Sequence, residues 1–299
     1  KFPYLILGAA FIIVAVIFKF SSLPNKLQEE EKEFPSDIDK SLDHPLSAKK
    51  SVLSYPQLWL GMIGIFVYVG VEVSTASNLP EFMKQHLKTP TEEIAPYISL
   101  FWASLMIGRW TSAVGAFDLS KGITQILNFI LPYAAFGIFL FVNFLASHDL
   151  SPFYVYSSLI IVLIIADILS KGNPARQLMI FSSLGILSLL VGIFADGMIS
   201  VYAFISVGLF CSTLWPCIFT LAIAGLGKNV NKGSSFLIMM IMGGGIISLL
   251  QGYLAKDDLL GIQFSYFVGV ACFLYLAYYG WKVKHILKNQ GIDYDSVSS

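Results

Sequence analysis

Apolar residues in this chain gather into long continuous runs, with neither the alternation of half-buried strands nor the narrow stripe of surface helices. A bilayer's hydrocarbon core takes roughly 20 mostly apolar residues per helical crossing. Nine runs approach or exceed that length, at about 2–18, 57–81, 96–117, 123–146, 153–170, 175–194, 200–226, 233–254 and 261–281. The short run at 153–170 contains Asp167. Residues 19–55 break the pattern: "NKLQEEEKEFPSDIDKSLDHPLSAKK" is polar and charged, without apolar periodicity. This composition predicts a flexible linker. The pattern as a whole predicts an all-α polytopic membrane protein of about nine spans, with the lipid bilayer as its solvent.

Composition agrees. Of the 299 residues, 56% are apolar and 13% charged, against about 25% charged in soluble domains. Net charge is zero, which leaves no bulk electrostatic case for nucleic acid. The opening "KFPYLILGAAFIIVAVIF" lacks a small-residue cleavage motif after its apolar stretch, so it reads as a genuine span of a chain that starts in mid-protein. Cys211, Cys217 and Cys272 sit singly in apolar runs, and His44, His86, His148 and His285 fall in polar connections. Neither a metal site nor a cofactor is predicted. The chain carries no GxSxG, no phosphate-cradling GxxxxGK and no paired acidic metal motif, so no enzyme is predicted.

Sidedness follows from Lys and Arg in the loops. With the linker placed in the cytoplasm and the spans alternating, 14 such residues fall inside and four outside, Arg109 being within a span. The bias predicts an outside N-terminus and a cytoplasmic tail at 283–299.

The spans also carry polar groups, and a charge at mid-bilayer costs about 2.5–3.5 kcal/mol even on the lenient insertion scale. Glu72, in "FVYVGVEVSTASNLPEF", is about 15 residues into its span, with Tyr68, Thr75 and Leu79 on its face. Arg109, in "LFWASLMIGRWTSAVG", shares a face with Trp102, Leu105 and Ser112. The two spans run antiparallel, which puts Glu72 and Arg109 within about 5–10 Å in depth. They are candidates for an ion pair or for lining a solute pathway; alternatively Arg109 snorkels to the cytoplasmic face. Ser206, Phe210 and Thr213 also align ahead of Pro216, as do Gly244, Ser248 and Gln251. Gly243, Gly244 and Gly245 in mid-span allow close helix approach or a bend.

Several stretches in order, "YVGVEVSTASNLPEFM", "FWASLMIGRW", "LFCSTLWPCIFTLAIAGLGK", "KGSSFLIMMIMGGGIISLLQGYLA" and "GIQFSYFVGVACFLYLAYYG", resemble the C-terminal half of the fucose–galactose–glucose:proton symporters of the major facilitator superfamily, in particular their bacterial glucose/galactose transporter branch. The resemblance implies two six-helix bundles around a central cavity, working by alternating access. It implies that residues 1–18 are the last helix of an N-terminal bundle otherwise missing, and that 19–55 is the cytoplasmic linker joining the halves. The C-terminal bundle would occupy 56–282, with the spans in about 123–170 forming an inserted hairpin between the eighth and ninth family helices. In related fucose transporters the proton-carrying carboxylates lie in the missing half, so Glu72 is not assigned that role by resemblance.

The reading is a bacterial inner-membrane sugar:proton (or sodium) symporter, present as its C-terminal part. Tyr68, Glu72, Asn78, Trp102 and Gln251 are the candidate contacts to a hexose or fucose-like sugar, and Glu72 with Arg109 the candidate gate or ion pair. The rivals are a facilitator of another solute, such as a drug or organic anion, and a polytopic membrane enzyme.

Overall fold

The computed structural model describes residue 16 and residues 51–114 and 121–295. By its contacts the chain forms two units, Lys1–Asp43 and His44–Ser299. Apart from Val16, the expected span at 2–18 lies outside the described residues, as do the linker up to residue 50 and the last four residues of the tail.

The second unit is a bundle of helices: α1 (Pro56–Leu87), α2 (Thr91–Ala113), α3 (Lys121–Leu145), α4 (Ser157–Ser170), α5 (Pro174–Phe194), α6 (Gly197–Cys211), α7 (Leu214–Ile223), α8 (Val230–Met239), α9 (Gly243–Leu254), α10 (Gly261–Ser265) and α11 (Phe267–Asn289). Among the described residues, seven helical segments are long and apolar enough to cross a membrane. Eight of the nine runs read from the sequence fall here. The eighth, α2, has the length at 23 residues, but Glu92, Glu93 and Arg109 keep it less apolar than the others.

Three expected continuous spans are interrupted. The run at 200–226 breaks between α6 and α7, at Ser212 and Thr213. Pro216 has no N–H to offer the Ser212 carbonyl, so the helical ladder cannot close across that turn. The run at 233–254 passes through a 3₁₀ turn at Met240–Met242, and the last run breaks at Tyr266. That last helix does not stop near residue 281. It continues to Asn289, so residues 283–289 are two further helical turns.

α1 is the central post, packed against α6, α7, α9 and α11, while α5 packs on α6 and α11. The 197–223 segment is the most enclosed, with 78% of its apolar stretch buried, whereas α8 and α9 show their outer face. α9 reaches α1 through Gly243, where an added Cβ would run into the backbone carbonyl of Phe66. Gly244 faces Val69 and Val73, and Gly245 faces open space. Close approach therefore explains the first two glycines of the triplet and not the third.

Helix ends sort to two faces of the bundle. Gln57, at the start of α1, donates to Ala224 O beyond α7 and exchanges amide bonds with Gln290 beyond α11. Asn173 caps α5 with its side-chain oxygen, accepting from Ala175 N and Arg176 N, and donates to Asp295. Asp295 also meets Arg176 Nη2 at 3.3 Å and Lys284 Nζ at 2.8 Å. At the opposite end Gln263 donates to the closing carbonyls of α5, Ile193 and Ala195.

The Asp295 clasp has a pH signature. The Lys284 ammonium bonded to this carboxylate holds it below the usual carboxylate range. A depressed folded pKa contributes stability above the unfolded pKa, about 4, and loses it as pH falls through the folded value. Protection of the amides over residues 291–295, taken as the exchange rate relative to an unfolded chain at the same pH, is expected to hold at neutral pH and to fall below about pH 4. D295N is expected to show the lowered protection already at pH 7.

Candidate functional site

α1 starts with Pro56 in its first turn, where a missing N–H costs nothing, and ends on Lys88 in the left-handed conformation. Only Lys88, Thr89 and Pro90 separate it from α2, so the two helices run antiparallel. Glu72 lies about 22 Å from the end of α1, and Arg109 about 27 Å from the start of α2. They thus meet near the same depth: Arg109 Nη2 is 3.9 Å from Glu72 Oε2. The Glu72 side chain is 12% exposed and that of Arg109 54%. At this distance and exposure the pair is loose, and most of the guanidinium's donors remain open to a further partner.

Tyr68, one turn before Glu72, is almost fully buried and is an electrostatic neighbour of both Glu72 and Arg109. Its hydroxyl faces both charged groups, near enough to interact with each but outside the geometry of a formed hydrogen bond. Its ring meets Trp215 edge-to-face, with centroids 6.0 Å apart and planes at 61°. Trp215 stands two residues past the break in the 197–223 segment and directly before Pro216. It belongs to this cluster, and sequence reasoning passed over it. The signal available was an aromatic residue at a proline-interrupted turn inside a span, in "STLWPCIF".

Thr75 and Ser112 point buried hydroxyls that lack partners, as does Thr213 at the break. A membrane interior leaves such groups uncompensated at a cost of about 1–3 kcal/mol each, so this layer of the bundle is built for polarity.

The other sequence candidates are placed differently. Trp102 lies on the exposed stripe of α2 that carries Arg109, two helical turns away, and is 46% exposed. Asn78 is buried and turns its amide back to Ser74 O within α1. Gln251 is fully buried, donates to Ser265 Oγ at 3.4 Å and leaves Oε1 without a partner. None of these three shares a hydrogen bond with Tyr68, Glu72 or Arg109 among the described residues. No group of three His, Cys, Asp or Glu side chains there is arranged to hold a metal ion.

The position of Arg109 depends on a close helix crossing. A Cβ on its neighbour Gly108 would collide with the Ser212 side chain at the end of α6. α2 therefore crosses α6 at the break itself, which sets Arg109 beside the turn that carries Trp215.

No family model matches the chain. It is 30% identical over 284 residues to the glucose/galactose transporter of Brucella abortus, an alignment spanning 94% of this chain and 52% of that protein. It is 26% identical over 251 residues to the L-fucose-proton symporter of Haemophilus influenzae, spanning 78% and 53%. In structure it matches the major facilitator superfamily transporter FucP in its outward conformation, with a TM-score of 0.59 and 18% identity over 94% of this chain and 54% of that one. The fold is thus that of a major facilitator transporter. The likeness carried by the sequence motifs is shown as well: the chain is a relative of the bacterial glucose/galactose transporters and fucose:proton symporters, which are transporters and not enzymes. It spans about half the length of these relatives.

Proposed function

We propose that the chain is the C-terminal part of a bacterial inner-membrane symporter that carries a neutral hexose or fucose-like sugar together with a proton, by alternating access. The carrying observation is the Glu72–Arg109 pair, which sits against the Tyr68–Trp215 aromatic edge, with the buried hydroxyls of Thr75 and Ser112 unbonded on the same two helices. Sugars need directed hydrogen bonds and an apolar platform; the open donors of Arg109 supply the first and Trp215 the second. Tyr68, Glu72, Trp102 and Trp215 face this role, while Asn78 and Gln251 serve as packing glue.

An anionic substrate is disfavoured by the same pair. Glu72 already faces Arg109, so its repulsion of a substrate carboxylate, about 4 kcal/mol at 4 Å and an effective dielectric of 20, offsets the attraction of Arg109, and the pair offers an anion little net gain. The relatives' names point to sugars.

In this reading residues 1–18 close an N-terminal bundle, 19–55 is a cytoplasmic linker, and the end of the bundle holding Gln57, Ala224, Gln290 and Asp295 is cytoplasmic. That end also carries Lys171, Arg176, Lys284 and Lys288, as the inside-positive bias requires. The α3–α4 hairpin is an insertion between two family helices.

The test uses the full-length protein in proteoliposomes, with glucose, galactose or fucose added in turn without sodium while external pH is recorded. Alkalinisation on adding one sugar is the expected result and names the substrate. Labelled sugar entry without a pH change would replace the proton by another ion or by none. No uptake of any of the three would overturn the sugar reading.

A further inference from the structure

The α3–α4 hairpin lies at the edge of the bundle and shows much apolar surface, as a lipid-facing addition would. Its inner face is different. Tyr156, in the 3₁₀ turn Ser151–Tyr156 that leads into α4, is fully buried. Its hydroxyl shares a hydrogen bond of 2.7 Å with Ser104 Oγ on α2 and reaches Ile205 O on α6 at 3.5 Å. Ser104 lies between Trp102 and Arg109 on α2; its hydroxyl donates to Leu100 O, so Tyr156 is the donor in the 2.7 Å bond and only abuts Ile205 O. Tyr202 of α6 donates to Pro152 O in the same turn. Phe153 packs on Tyr97 of α2 at 5.1 Å and on Phe139 of α3 at 5.4 Å. About two turns further along, in α4, Leu163 Cδ1 stands 3.6 Å from where a Gly108 Cβ would be, against the crossing with Ser212. Beyond it, Asp167 accepts from Gln177 of α5, which in turn accepts from Cys217 of α7.

The hairpin thus touches α2 and α6 along one side of their crossing and at the crossing itself, and reaches α7 through Gln177. These three helices carry Arg109, the break and Trp215. We infer that the α3–α4 hairpin is a brace for the candidate site, and that Tyr156 is a positioning residue that holds Arg109 in register with Glu72 through Ser104. The inference rests on the proposed sugar site. A lipid-facing addition needs no buried tyrosine bonded to α2 and in contact with α6. A hydrogen bond inside the bundle restrains α2 in rotation, and Arg109 is about one and a half turns from Ser104 on the same helix. A small rotation there is felt at the guanidinium, whose contact to Glu72 is already long at 3.9 Å.

The test is Y156F in the full-length protein, which removes one oxygen and keeps the ring. Labelled sugar binding is expected to weaken about fivefold, the value of one buried hydrogen bond. In an R109A background the same change is expected to add nothing, because the residue being positioned is gone. Equal weakening in both backgrounds, or none in either, would overturn the inference. A purely structural role would lower yield and thermal stability equally in both backgrounds without this dependence on Arg109.

A second measurement needs no sugar. Phenylglyoxal modification of Arg109, read by peptide mass, is expected to speed up in Y156F towards the rate of E72Q, in which Arg109 has lost its carboxylate. An unchanged rate would also overturn the inference. If wild-type protein binds none of the sugars, the functional reading fails, and the labelling result still decides the role of Tyr156.

Discussion

Replacing Glu72 by Gln is expected to cut sugar uptake by about tenfold or more. Removing one partner of a fully buried ion pair costs about 3–5 kcal/mol, but the half-exposed Arg109 can recruit water, so about 1–2 kcal/mol is the appropriate scale here. Each 1.4 kcal/mol is a factor of ten. The two residues differ in exposure, so their substitutions differ in kind. E72Q leaves a cation facing the site, and R109A leaves a mostly buried carboxylate beside the Tyr68 ring. R109A is therefore expected to lose more folded protein, and E72Q more activity per folded molecule. Uptake normalised to reconstituted protein separates the two. Wild-type rates in both variants would remove the pair from the mechanism.

Gly243→Val is expected to produce the largest structural failure. The new Cβ would enter the space of the Phe66 carbonyl, a backbone atom that no rotamer change can move aside. α9 would have to withdraw from α1, its most extensive partner. Overpacking of this sort costs about 1–3 kcal/mol when side chains can yield, and more when they cannot. Gly245→Val is the internal control, since nothing lies within 4 Å of its added Cβ. Fluorescence-detected size exclusion in detergent is expected to show a monodisperse peak for Gly245→Val and its loss for Gly243→Val. Similar behaviour of the two would mean that the α1–α9 contact is looser than described.

Much of this fold was legible in the sequence because the signal for a span is coarse. A run of apolar residues long enough to cross needs no tertiary information, and the runs read from the chain fall on helices wherever the structure describes them. The interruptions were less legible. Pro216 announced that a carbonyl would go unpaired, but where the ladder gave way depended on Ser212 meeting α2 at Gly108, a long-range contact. The 3₁₀ turn at Met240–Met242 likewise directly precedes a long-range contact, the approach of Gly243 to Phe66. α11 runs past the apolar run that marks its span: Lys282 and Lys284 limit the apolar layer, but a helix has no reason to stop there, since its hydrogen bonds are internal. At the site, the mutual facing of Glu72 and Arg109 followed from helical rise across a short turn. Trp215 did not, since its neighbour Tyr68 lies 147 positions earlier in the chain.

The three-residue turn between α1 and α2 has a consequence for how the protein is made. α2 carries an arginine and is less apolar than its companions. Presented alone to the insertion machinery, it would partition poorly into lipid, since Arg109 by itself costs about 2.5–3.5 kcal/mol at mid-bilayer. α1 bears a complementary cost in Glu72. Joined by Lys88, Thr89 and Pro90, the two helices present opposite charges at matching depth, and the pair is neutral as a hairpin where neither helix is neutral alone. The contact that pairs the two side chains thus lowers the cost of holding α1 and α2 in the bilayer together below the sum of their separate costs.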